Sequence, residues 1–180
     1  MFLSDSPPGE TIREIRLLWT EGVDKDVIFF LRDRLPGIFS LRVTGEKRFE
    51  PDFDACRERS CQFDSHLFLQ QLPLRKPAQS LLLAVTVADL FAPGMNYVFG
   101  SADPRTGCAV ISLARLVPAA SRMLLLRRAL VEAVHEIGHL LGLGHCRKTG
   151  CVMHFSSCLS DTDRKQPAFC PHCRKVLQRE

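Results

Sequence analysis

The chain has 180 residues, 46% of them hydrophobic, with 24 Lys and Arg against 20 Asp and Glu. A chain of this length buries about 70% of its unfolded surface, enough for one core, so a single domain is expected over residues 1–180. The formal charge of +4 is scattered among acidic residues, no basic run exceeds pairs such as Arg127-Arg128, and one Tyr and one Trp are all that could stack bases alongside the Phe residues, which argues against nucleic acid as a partner.

In chain order, residues 1–10 lack both the basic and the apolar region of a secretory signal, and a cytoplasmic protein is expected. Residues 12–19 alternate like a strand. Residues 24–35 have helical spacing, with Asp24 as N-cap and Pro36-Gly37 as the stop. Residues 39–49 read as a second strand and residues 64–72 as a second helix ending before Pro73. Residues 81–87 form a continuous apolar run, too short to cross a bilayer but typical of a strand buried on both faces. Residues 96–102 and 109–113 read as two short strands joined by the turn Asp103-Pro104-Arg105-Thr106-Gly107. A long helix over residues 120–141 follows. The expected class is α+β, or mixed α/β: a twisted mixed sheet of about five strands, two backing helices and this third, long helix.

The long helix carries His135-Glu136-Ile137-Gly138-His139 and continues through Gly142 to His145. His135 and His139 are four apart, so both imidazoles project from one helix face toward a single Zn²⁺. Glu136 falls beside that metal rather than on it, where its carboxylate can take a proton from water. For His145 to complete the set the helix must stop and reverse, and Gly142 enters the required left-handed turn without a Cβ clash. Three protein ligands leave one position open, the mark of a catalytic rather than a structural zinc.

Four cysteines follow as two short-spaced pairs, Cys146 with Cys151 and Cys170 with Cys173. Brought together they make a closed Cys₄ site, which is structural. Eight cysteines without an export signal fit metal binding better than disulfides. Two Zn²⁺ per chain are therefore expected, one catalytic and one structural. Because His145 and Cys146 are adjacent but serve different metals, the two sites should be coupled.

The run from His135 to Cys173, with Met153 two residues after Cys151, resembles the archaemetzincins, zinc peptidases of the metzincin clan. The interval from Met153 to Cys170 is one residue shorter than the family pattern, a difference a loop absorbs. Asn96-Tyr97-Val98-Phe99-Gly100-Ser101-Ala102 and Cys108-Ala109-Val110-Ile111-Ser112-Leu113-Ala114-Arg115 resemble the family's edge strand and the segment before its active-site helix. The resemblance implies a metzincin-like fold and a Met-turn methionine, Met153, packed beneath the catalytic zinc. It implies a subdomain over residues 1–142 that includes the active-site helix, and a C-terminal subdomain over residues 143–180 stapled by the second zinc.

The activity expected is peptide-bond hydrolysis with Glu136 as general base. Substrate would lie extended along Val98, Phe99, Gly100, Ser101 and Ala102 by strand addition. Two other readings stay open: a non-enzymatic zinc module acting through protein contacts, and a hydrolase of non-peptide amides. Cys56, Cys61 and His66 form a weaker candidate metal set, and His154 could face the cleft as an oxyanion donor. Spacing assigns no role to Cys108 or Cys158.

Overall fold

Alternation within single strands builds a sheet covered on both faces. The computed structural model describes residues 12–59, 61–117 and 121–178. The main sheet comprises β1 (Glu14–Trp19), β2 (Arg42–Arg48), β5 (Ser80–Thr86), β8 (Gly100–Asp103) and β9 (Cys108–Ser112), in the order β2-β1-β5-β9-β8. All neighbours are parallel except β8, which runs antiparallel to β9 at the edge. Ile15, Leu17, Leu81, Leu83, Val85, Ala109 and Ile111 belong to one core with helices α1 (Lys25–Phe39) and α4 (Arg122–Leu140). Their neighbours Leu18, Leu82, Ala84, Cys108 and Val110 belong to a second core with Phe68 and Leu69 of α3 (Ser65–Gln70). The expected apolar strand is thus β5, buried along its whole length between the two cores.

The helices begin where the sequence indicates. Asp24 caps α1 through the Asp26 N–H at 2.9 Å, and Asp64 caps α3 through the His66 N–H at 2.7 Å. The expected stop at Pro36-Gly37 is corrected: α1 runs through Pro36 to Phe39 and closes on Ser40, whose N–H reaches the Pro36 carbonyl at 2.9 Å. The extra turn is held by tertiary packing, since the Phe39 ring meets Phe169 edge-on at 5.7 Å and Ile38 also packs against the core. The two backing helices lie on opposite faces of the sheet, α1 beside α4 and α3 across from them.

A second sheet of four short strands, not expected from the sequence, joins β3 (Arg57–Arg59), β4 (Gln62–Asp64), β6 (Leu90–Ala92) and β7 (Met95–Val98); β3 follows the short helix α2 (Phe53–Cys56). It divides the strand expected over residues 96–102. The chain leaves β7 at Val98, the Phe99 carbonyl accepts from the Ser112 N–H at 2.7 Å, and β8 then pairs with β9. Val98 therefore belongs to the second sheet and Gly100 to the first. Beyond α4 come two short helices, α5 (Leu159–Arg164) and α6 (Pro171–Leu177). Among the described residues no helix is long and apolar enough to cross a membrane.

Candidate active site

Helix α4 starts at Ser121, whose hydroxyl accepts from the Leu124 N–H at 3.3 Å, and buries 13 of its 19 residues, including the polar Glu132, His135 and Glu136. So much burial places these polar groups inside rather than on a solvated stripe. The helix ends as expected. Gly142 takes φ +80°, and the Leu143 N–H turns back onto the Gly138 carbonyl at 3.0 Å. This reversal returns His145 to the helix, its ring centre 5.4 Å from that of His135 and 4.9 Å from that of His139.

The donor chemistry of the three histidines fits a bound cation. His135 Nδ1 lies 2.7 Å from the Val152 carbonyl and His139 Nδ1 lies 2.7 Å from the Leu143 carbonyl. A carbonyl only accepts, so each Nδ1 carries the proton and each neutral ring presents a bare Nε2 lone pair. Those two Nε2 atoms face each other at 3.0 Å, and the ligand atoms of all three rings lie within 4.8 Å. Two opposed lone pairs repel unless a cation sits between them, and tetrahedral Zn²⁺ would set them about 3.3 Å apart. Burial pushes the His135 pKa down to about 2, with the Lys165 charge adding to the shift, and burial likewise lowers His139 and His145. Neutral imidazole is the ligating form.

Glu136 is buried against β8. A Cβ placed on Gly100 would come within 2.5 Å of Glu136 Oε1 and 2.8 Å of its Cδ, so only glycine lets the strand approach this carboxylate. Burial raises the Glu136 carboxyl well above its ordinary range and Glu132 raises it further, while Lys165 opposes the shift. A divalent cation in the histidine centre would also oppose it.

Cys146, Cys151, Cys170 and Cys173 converge as a second cluster. The Cys146–Cys170 and Cys151–Cys173 sulfur distances are both 3.8 Å. Thiolates at about 2.3 Å around a tetrahedral zinc stand about 3.8 Å apart, whereas a disulfide requires about 2.05 Å. The Cys170 thiol, at the start of α6, is lowered to about 7, chiefly by the Cys173 backbone N–H. Backbone contacts join the two centres: the Cys146 N–H donates to the Met153 carbonyl at 2.8 Å, and His154 Nδ1 lies 2.9 Å from the Cys146 carbonyl. Met153 is fully buried and packs against Gly138, on the same helix as the histidines.

A cleft of about 480 Å³ crosses the site. All five residues of the expected edge strand, Val98, Phe99, Gly100, Ser101 and Ala102, line it, as do Leu143, Gly144, His145 and Phe155. Tyr97 on β7 donates to the Ser157 carbonyl at 3.0 Å. His154 is not among the lining residues, and its ring is occupied with the Cys146 backbone. Cys61 is exposed and the Cys56 side chain lies outside the described residues, so the candidate set with His66 is not assembled among the described residues. Cys108 is buried with its thiol directed at the Thr106 carbonyl, and Cys158 is exposed at the start of α5. Sequence reasoning missed Gly138, Phe155 and a buried pair, Glu132 with Lys165. Of these only Gly138 had a local signal, a glycine in mid-helix.

A helix-borne histidine pair, a glycine turn to a third histidine and a buried methionine beneath them are the arrangement of a metzincin, a zinc-dependent peptidase. The chain belongs to peptidase family M54, whose model matches residues 75–179. It is 38% identical to the archaemetzincin of Pyrococcus horikoshii over 88% of this chain and 90% of that protein. The crystal structure of archaemetzincin from Methanopyrus kandleri superimposes with a TM-score of 0.84 at 34% identity, covering 96% of this chain and 97% of that one. The Archaeoglobus fulgidus archaemetzincin, solved with malonate, gives 0.81 at 36% identity over 91% of this chain and 99% of that one. The chain is thus a zinc metallopeptidase acting on peptides or proteins.

Proposed function

We propose that this chain hydrolyses peptide bonds at the centre formed by His135, His139 and His145, with Glu136 as general base. A zinc on these three histidines would supply a Lewis acid for the water and the scissile carbonyl. Glu136 takes the proton of the attacking water and returns it to the leaving amine. The β8 strand, antiparallel and at the sheet edge, offers backbone to an extended substrate from Gly100 onward, with Val98 and Phe99 continuing the rim. The observation that carries this reading is the meeting of two bare Nε2 lone pairs 3.0 Å apart beside a carboxylate pressed between α4 and β8.

A second zinc on Cys146, Cys151, Cys170 and Cys173 has a structural role, giving two per chain. The segment from 143 onward then acts as a C-terminal subdomain stapled beneath a helix-bearing subdomain of residues 1–142. Cysteines gathered as a metal cluster suit a reducing compartment, and the cytoplasm is the location proposed for the chain. The test is a digest of a diverse peptide library by the zinc-loaded protein, read by mass spectrometry beside Glu136→Gln. Cleavage by the parent alone is expected. Identical, uncleaved libraries would return the chain to the class of zinc modules that act by protein contact.

A further inference from the structure

Behind the cleft lies a buried ammonium. Lys165 is 0% exposed, and an unpaired lysine is almost never found so deep. Its Nζ stands 3.4 Å from Glu132 Oε1 and donates to the His154 carbonyl at 3.2 Å. Thr162 donates to the same Glu132 oxygen at 2.9 Å, and its hydroxyl is 3.1 Å from that of Ser156. Glu132 thus gathers two ties, one through Lys165 to residue 154 and one through Thr162 to residue 156. Between them sits Phe155.

Phe155 is 43% exposed, lines the cleft and sets its ring 5.1 Å from the ring of His145. A large aromatic left half in water has no packing partner on its open side, and its backbone would drift unless held on both flanks. His154 is also held to the Cys146 carbonyl and Ser157 to Tyr97, and the two ties add the anchor to α4, the helix that carries His135 and Glu136. A neighbouring pair is a built-in control: Arg128 grips Asp163 through two contacts of 2.7 Å, fastening α5 to α4 without touching residues 154–156.

We propose that Lys165 is a positioning residue of the cleft: with Thr162 it ties both flanks of Phe155 to Glu132, fixing that ring as a wall for an apolar substrate side chain beside the scissile bond. This rests on the peptidase reading for the identity of the ligand, but not for the tie itself. Zinc-loaded protein is titrated with two peptide hydroxamates that differ in one side chain, leucine or glycine, and hydrogen exchange is followed over residues 154–157. The parent should prefer leucine by about tenfold, as one buried apolar side chain warrants. Lys165→Met should reduce the preference to about twofold and speed exchange at 154–157, and Phe155→Ala should lose the preference alone. Asp163→Asn should keep both. Should Lys165→Met fail to fold, Thr162→Val and the paired Glu132→Gln/Lys165→Met, which leaves no unpaired charge, replace it. A parent without leucine preference, or a preference kept in Lys165→Met or in Thr162→Val, overturns the wall. Unchanged exchange at 154–157 overturns the tie. Lack of peptide turnover overturns only the peptidase reading, because hydroxamate binding needs no turnover.

Discussion

Gly138 and Met153 meet so closely that no side chain fits between them: a Cβ on Gly138 would overlap Met153 Sδ and lie 3.2 Å from Phe169 Cε1. Glycine in the middle of α4 leaves the room in which Met153 and Phe169 reach the helix backbone.

Gly138→Ala therefore tests two opposed effects. Helix propensity favours alanine by about 1 kcal/mol, whereas forcing a methyl into a packed floor costs about 1–3 kcal/mol. Met153 is fully buried and cannot swing to solvent, so the clash should prevail. Urea unfolding should show a net loss of up to about 2 kcal/mol. Gly144→Ala, with nothing within 4 Å of the added Cβ, should lie close to the parent. A stabilised Gly138→Ala would mean the floor yields.

Gly100→Ala should lower kcat while leaving zinc content unchanged. The added methyl would press on Glu136 Oε1 and Cδ, and a shift of about 1 Å in a catalytic group can cost on the order of 10²-fold. Metal analysis with steady-state kinetics checks this. Loss of zinc in step with activity would assign the effect to the ligands instead.

Glu136→Gln should keep the fold and both metals and lower turnover by on the order of 10²–10⁴-fold, because glutamine matches the shape but accepts no proton. Parent-like turnover in this variant removes Glu136 from the chemistry.

Acid should weaken the metal-free protein. Burial holds the His135 pKa at about 2 against 6.5 for a free imidazole, and it lowers His139 too. Below pH 6.5 the unfolded chain binds protons that the folded state refuses, so stability is full above that pH and falls as the pH drops. His135, the most buried, contributes about 1.4 kcal/mol per pH unit in that window. Urea midpoints in chelator at about pH 7.5 and about pH 5.5 should differ in this sense, and less so in His135→Gln. Equal midpoints would show that the imidazoles take up protons in the fold.

Cys170→Ser should weaken zinc at the three-histidine centre although Cys170 is remote from it in role. Removing one thiolate forfeits binding free energy that is also local folding free energy, and the Cys146-to-Met153 backbone contact passes the loosening on. Competition with a chelator should release two zinc ions from the parent, the histidine-bound one first. In the variant that first release should come at lower chelator concentration. Unchanged histidine-site affinity after loss of the second metal would show the centres to be independent.

What the sequence determined by itself was the local chemistry. Four-residue spacing on a helix, a glycine that permits φ +80° and two short cysteine pairs mark candidate ligands through bond geometry alone, and Asp24 announces its helix by its side-chain oxygen. Tertiary structure decided everything that rests on distant segments meeting. Pro36 does not end α1 because Phe39 finds Phe169; residues 96–102 divide because Phe99 bonds to Ser112 before β8 reaches β9. Gly100 meets Glu136, and Lys165 meets Glu132, across long stretches of chain. A buried lysine and a strand glycine look unremarkable in sequence, since their meaning is the low-dielectric or crowded space that only the folded chain creates around them.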